Sequence, residues 1–223
     1  MKREIDLVIF DCDGTLVDSE PISRKVVIEL LDQYGIHMHP DLYDHQFAGT
    51  QMLNIYQYAQ EGGIPIDMQT FEDQYRARLE ELLVEEVKPI EGAHQLLQTI
   101  QHSYCIASNG PKRKMKVTLE ACRLKSYFPD HTIHSAYDIE KWKPEPDLFL
   151  HAAQVHGVSE EKCLVIEDTI HGIQAARAAG MAVWGVNIKN HRETILKFEV
   201  PIYTHLLEVK RQLESRAGLW DGG

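Results

Sequence analysis

The stretch Ile5-Asp6-Leu7-Val8-Ile9-Phe10-Asp11-Cys12-Asp13-Gly14-Thr15-Leu16 decides how this chain is read. Its first half is short and almost continuously apolar, the pattern of a strand buried on both faces. Its second half delivers two carboxylates, two positions apart, to the point where the chain leaves the sheet. In extended backbone such positions face the same way, so Asp11 and Asp13 can address one site. Gly14 then frees the backbone to turn. Crowded acids repel one another unless a cation joins them, and oxygen donors suit a hard divalent metal. A solvated turn is the competing reading of Asp-x-Asp-Gly. A calcium loop fails, because Leu16 and Ile22 stand where it needs glycine and glutamate.

Around this stretch lie 223 residues, enough for one large or two modest domains. Hydrophobic content of 43% and charged content of 26% describe an ordinary soluble globular chain. A net charge of −11 disfavours polyanionic partners, so neither nucleic acid nor anionic membrane is expected. An anionic substrate then needs a local basic cluster. Cys12, Cys105, Cys122 and Cys163 are dispersed, with no secretory leader, and read as reduced, mostly buried thiols of a cytoplasmic protein. No apolar run approaches the roughly 18 residues of a membrane span. The polar, glycine-ended tail from Ser215 to Gly223 reads as disordered. Oligomeric state is not legible; a monomer is the working expectation.

The order of elements shows an insertion. Asp18-Ser19-Glu20-Pro21 is a helix-start signal, and Ile22, Val26, Val27, Leu30, Leu31 and Tyr34 follow at helical spacing. Further helices are expected around Leu53–Gln60 and Phe71–Val87, with breaks at Gly62-Gly63 and Pro65. Beyond Lys88 the rhythm changes. Strands at Tyr104–Ala107, Thr132–Ser135, Cys163–Ile166 and Ala182–Val186 alternate with helices starting near Ala93, Pro111, Pro146, Thr169 and His191. Alternation of this kind predicts an α/β fold, a parallel sheet with helices on both faces and a ligand rim at its strand ends. His37, His39 and His45 sit in a Pro-containing loop without fixed spacing and read as exposed histidines rather than a metal cluster. Trp184 reads as core, and Trp142 as a possible wall of the site.

Three further segments bear on chemistry. Ser108-Asn109-Gly110 precedes Pro111 and a helix, which makes either an anion site or plain capping. Lys112, Arg113, Lys114 and Lys116 follow, readable as a solvated face or as a basic patch steering an anion. In Lys143-Pro144-Glu145-Pro146 two prolines stiffen the backbone and present the ammonium. Glu167-Asp168 opens an Ala-rich helix, where two acids are good caps on their own account.

In this order the segments resemble four motifs of the haloacid dehalogenase-like superfamily, most of whose members are phosphatases. The resemblance implies a Rossmann-like core of residues 1–17 and 88–223, with a helical cap of residues 18–87 hinged near Val17–Pro21 and Val87–Gly92. It implies Mg²⁺ held by Asp11, by Asp13 through its backbone carbonyl, by Asp168, and by Glu167 through water. It gives Asp11 the nucleophile's role, Asp13 that of general acid and base, Ser108 and Asn109 a place at the transferred phosphate, and Lys143 charge neutralisation. Cap residues Gly49 and Thr50, within Phe47-Ala48-Gly49-Thr50-Gln51, fall where relatives carry a substrate-specificity loop. The implied substrate is a small phosphorylated metabolite, most simply a sugar phosphate, with 6-phosphogluconate the first to test. A phosphomutase of the β-phosphoglucomutase type is the alternative, weakened because Ala48 and Gln51 replace basic residues. A non-catalytic sugar-phosphate sensor is a third reading, disfavoured by the full residue set.

Overall fold

A computed structural model describes residues 2–47, 52–188, 192–216 and 219–221. Its strands are β1 (Lys2–Glu4), β2 (Leu7–Phe10), β3 (Ser103–Ser108), β4 (Ile133–Ser135), β5 (Cys163–Glu167), β6 (Ala182–Val186), β7 (Ile202–Tyr203) and β8 (Leu219–Asp221). The helices are α1 (Glu20–Gln33), α2 (Pro40–Gln46), α3 (Met52–Glu61), α4 (Met68–Glu86), α5 (Ala93–Thr99), α6 (Lys112–Ala121), α7 (Ala136–Ile139), α8 (Asp147–His156), α9 (Ile170–Ala178), α10 (Arg192–Leu196) and α11 (Leu206–Arg216). The chain divides into two compact units, residues 1–18 with 88–223, and residues 19–87.

In the first unit six strands form one parallel sheet in the order β4-β3-β2-β5-β6-β7. Strand order reverses at β2, whose neighbours are β3 on one side and β5 on the other. That reversal opens a crevice at the carboxyl ends, the usual ligand position of an open α/β sheet. Every residue of β2, β5 and β6 is buried, as a strand covered on both faces requires. Leu7, Ile9, Cys105, Ala107, Val165 and Val183 of the sheet pack with Leu148, Phe149 and Ala152 of α8 and Ile173 and Ala176 of α9. Each such large apolar side chain contributes about 1.5–3 kcal/mol by leaving water. Trp184 is buried here, edge-on to Tyr203. Trp142 packs against the same core and edge-on to Tyr137.

One expectation is overturned at the end of the chain and one, in part, within it. The tail is not wholly without structure: α11 runs to Arg216, and β8 pairs antiparallel with β1 through Lys2–Asp221, Arg3–Trp220 and Glu4–Leu219. Leu206, Val209 and Leu213 of α11 are buried, an i, i+3, i+7 stripe passed over because charged residues separate its members. Within the histidine-bearing stretch His37 and His39 lie in a loop as expected, but His45 belongs to a helix. Pro40 starts α2, where its missing N–H costs nothing, and His39 caps the helix by accepting from the Asp41 N–H at 3.2 Å.

The second unit is helical throughout its described residues. Ile22, Val26, Val27, Leu30 and Leu31 form the buried stripe of α1, which packs on α4 with its buried Phe71, Leu79, Leu82 and Leu83. Arg24–Asp44 at 2.5 Å and Lys25–Glu86 at 2.7 Å tie α1 to α2 and α4, as exposed pairs worth at most about 1 kcal/mol each. Gly49 and Thr50 lie outside the described residues, as do Ala48 and Gln51. Among the described residues no helix is long and apolar enough to cross a membrane.

Candidate active site

The sheet ladder runs one residue past β2, where the Asp11 N–H donates to the Ile166 carbonyl at 2.9 Å. This fixes Asp11 beside the end of β5. The chain then turns tightly, with Leu16 N–H to Cys12 O at 2.9 Å and Gly14 N–H to Val17 O at 2.8 Å. Gly14 has φ +86°, which glycine adopts without strain. A Cβ there would also overlap the Asp168 carboxylate, so the missing side chain leaves room for an acid from another strand. Asn187, just beyond β6, donates its side-chain N–H to the Gly14 carbonyl at 3.0 Å and braces the turn from a third strand end. Cys12 is fully buried between the two acids, in keeping with a packing role.

Lys143 is the centre of the charge arrangement. Its Nζ donates to Asp11 Oδ1 at 2.5 Å and to Glu167 Oε2 at 2.8 Å, with a side chain only 2% exposed. The Phe149 ring lies beneath it, 4.7 Å from Nζ to ring centroid. Burial works against the ammonium, yet Asp11 and Glu167 outweigh it and hold its pKa above the usual lysine range. Burial likewise pushes the Asp11 carboxyl up to about 7, with Lys143 pulling it back and Glu167 and Asp13 adding repulsion. The peptide Lys143–Pro144 is cis.

Asn109 and Glu167 both make contacts to protein that the sequence does not announce. The Asn109 side chain is paired with the Lys143 backbone, Oδ1 accepting from Lys143 N–H at 2.9 Å and Nδ2 donating to Lys143 O at 3.4 Å. It clamps the lysine loop onto β3. Glu167, expected to reach a metal through water, has both oxygens engaged by protein. Oε1 accepts from Asp168 N–H, Thr169 N–H and the Thr169 hydroxyl at 3.0, 3.0 and 2.9 Å, while Oε2 accepts from Lys143. Neither contact is readable from sequence, because each joins a residue to a loop 24 or 34 positions away.

Ser108 ends β3, 2% exposed, its Oγ accepting from Gly110 N–H at 3.2 Å. Ser135 at the end of β4 donates its hydroxyl to Gly110 O at 2.7 Å and so steadies that turn. Within the basic run, Lys112 pairs with Asp138 and Lys116 with Asp130, each at 2.7 Å. Lys114 instead meets Asp13, Nζ to Oδ1 at 2.9 Å, so the two motif acids have a lysine each. Lys114 was hidden in the sequence among three similar neighbours.

The carboxylates of Asp11, Glu167 and Asp168 bring donor oxygens within 4.8 Å of one another. Asp168 is half-buried and Thr15 donates its hydroxyl to its Oδ1 at 3.1 Å. Against these three acids and Asp13 stand Lys143 and Lys114. This oxygen-rich, acid-heavy set, with the room left by Gly14, fits a hard divalent cation.

Gly172 supplies a test of how tightly the cluster is built. A glycine inside α9 should cost about 1 kcal/mol against alanine. A Cβ there would, however, overlap the Glu167 carboxylate. Gly172→Ala is therefore expected to lower stability by about 1–3 kcal/mol, as overpacking does, rather than raise it. Thermal unfolding of the two proteins gives the sign. A stabilised variant would show that Glu167 yields freely.

Residues 8–186 match the haloacid dehalogenase-like hydrolase family. The 6-phosphogluconate phosphatase of Escherichia coli is 35% identical over 218 residues, covering 97% of each chain. The fructose-1-phosphate phosphatase of the same organism is 30% identical over 184 residues, covering 78% of this chain and 92% of its own. A solved haloacid dehalogenase-like protein of unknown function from Agrobacterium tumefaciens superposes with a TM-score of 0.83 at 34% identity, covering 96% of this chain and 99% of that one. With this sheet order, this rim and matches of this extent, the chain belongs to the haloacid dehalogenase-like hydrolases, as an enzyme of their phosphatase branch.

Proposed function

We propose that the chain is a Mg²⁺-dependent phosphomonoesterase that cleaves a small sugar phosphate, 6-phosphogluconate first among those to test, with the phosphoryl group passing through Asp11. The observation that carries this reading is the buried Lys143 ammonium, shared between Asp11 and Glu167 at the point where strand order reverses. It holds an acid in place at a rim where substrate arrives, which a purely structural ion pair has no reason to do.

Asp11 attacks phosphorus in line, and the new bond to its carboxylate oxygen forms as the bond to the sugar oxygen breaks. Asp13 gives its proton to that oxygen, then takes one from the water that attacks the phosphoryl group and frees Asp11. Lys143 and the Ser108 hydroxyl donate to the phosphoryl oxygens, while Asn109 and Glu167 keep Lys143 in position. Lys114 balances the charge left on Asp13 once that proton is given. Asp11, Asp168 and the Asp13 carbonyl would hold Mg²⁺, which supplies charge neutralisation at the phosphoryl oxygens. The four cysteines are free and buried, which supports placement in the reducing cytoplasm.

A phosphate-release assay over a panel of phosphorylated metabolites is the test. 6-Phosphogluconate and fructose 1-phosphate are expected among the turned-over substrates, and chelation is expected to lower the rate at least about 100-fold, with Mg²⁺ restoring it. No release from any member would overturn the enzymatic reading. Conversion of β-glucose 1-phosphate to glucose 6-phosphate without free phosphate would mark a mutase instead.

A further inference from the structure

Away from the carboxylate rim, three soft or borderline donors converge between the sheet and α8. Cys105 lies on β3 two residues before Ala107, which pairs with His134 of β4, so Cys105 and Ala107 share a face. That face packs against α8, whose last residue is His156. The Cys105 Sγ and the ring nitrogens of His134 and His156 lie within 4.8 Å of one another. His134 Nε2 and His156 Nε2 are 3.3 Å apart. Two nitrogens bound to one tetrahedral Zn²⁺ at about 2.0–2.1 Å must stand ~3.3 Å apart, so the histidine pair already spans one edge of such a tetrahedron. The corresponding sulfur–nitrogen edge is ~3.5 Å, and the Cys105 sulfur lies within 4.8 Å of both nitrogens. Cys105 and His134 are buried and His156 is half-buried, so an ion has a way in from the His156 side. His151, edge-on to His134 with centroids 5.5 Å apart, supports the ring from α8.

We propose that Cys105, His134 and His156 form a second metal site, for Zn²⁺ or a similar borderline-soft transition ion, separate from the oxygen-only site at the rim. Both histidines bind as neutral imidazoles. The Cys105 thiol gives its proton to bulk water as the sulfur–metal bond forms, and a water completes the four positions. An ion here joins β3, β4 and α8. Those elements lead respectively to Ser108, to Ser135 with its bond to Gly110, and back to the Lys143 loop. Loading is therefore expected to stiffen one side of the rim without adding a group to it.

The probe is Co²⁺, titrated into chelator-stripped protein under a phosphine reductant, with excess Mg²⁺ present to fill the carboxylate site. One equivalent is expected to bind with the visible bands of tetrahedral Co²⁺ and a near-ultraviolet thiolate-to-metal band, both erased by one equivalent of Zn²⁺. Cys105→Ser should remove the thiolate band. His156→Ala, at the half-exposed edge where folding is least at risk, should weaken binding at least about tenfold. Absence of binding, Co²⁺ bound without the thiolate band, or affinity unchanged in His156→Ala would each overturn the site. These readings are spectroscopic and are unaffected by whether the phosphatase mechanism holds.

Discussion

Replacing Asp11 with asparagine is expected to lower kcat by roughly 10⁴- to 10⁶-fold, the range seen when a nucleophile is removed from an otherwise intact enzyme. The change is isosteric and removes one thing, an ionised oxygen able to bond to phosphorus. Lys143 keeps Glu167 as a partner, so the fold around the rim should persist. An unchanged circular dichroism spectrum and a thermal midpoint near wild type would separate lost chemistry from lost structure. Acid quench during single turnover of a radiolabelled substrate should find phosphate on the wild-type protein and none on the variant. Activity within tenfold of wild type would transfer the nucleophile's role to another group. Asp13, paired with a different lysine, would be the first group to examine for it.

Much of the fold is legible because the sheet is buried on both faces. Continuous apolar runs such as Leu7–Phe10 and Cys163–Ile166 have one plausible use, and β6 falls on Ala182–Val186 as the spacing predicts. Elements at the margin are another matter. β7 is two residues long and half-buried, and β8 exists through its pairing with β1 at the far end of the chain. No local pattern marks a strand whose partner is more than two hundred residues distant. α2 was obscured by a proline that reads as a breaker but stands at a helix start.

At the site the same division holds. Asp11, Asp13, Ser108, Lys143 and Asp168 are legible because each follows a strand or a rigid turn that puts it at the rim. Their partners are not. Asn109 reads as a substrate ligand, and nothing in the sequence shows that its amide pairs with the Lys143 backbone. Glu167 reads as a cap and as a metal ligand, but the cap of α9 is Thr169, and Glu167 Oε1 instead holds the two residues before the helix. What it does with Oε2 depends on Lys143 arriving from another loop. The glycines at 14 and 172 show the same limit, since their value lies in the carboxylates a side chain would displace.

Lys143→Met carries the second large effect, and it acts on stability as well as rate. Methionine keeps most of the lysine's length and its packing over Phe149 while removing the charge. Asp11 and Glu167, 6% and 0% exposed, would then face one another with no ammonium between them. Breaking a buried pair in this way costs about 3–5 kcal/mol, because the remaining charge is left uncompensated. For a chain of this length that is a fall of roughly 6–20 °C in the unfolding midpoint, with kcat reduced by about 10³-fold through the lost donor to the phosphoryl oxygens. Adding Glu167→Gln to Lys143→Met removes one of the two stranded charges and should return about half of the lost stability. It should return none of the activity. That split distinguishes the proposed mechanism from a structural ion pair, for which rate and stability would recover together. A Lys143→Met protein that melts within a degree or two of wild type would show instead that water or a rearranged neighbour replaces the ammonium, and that the lysine does not organise the site.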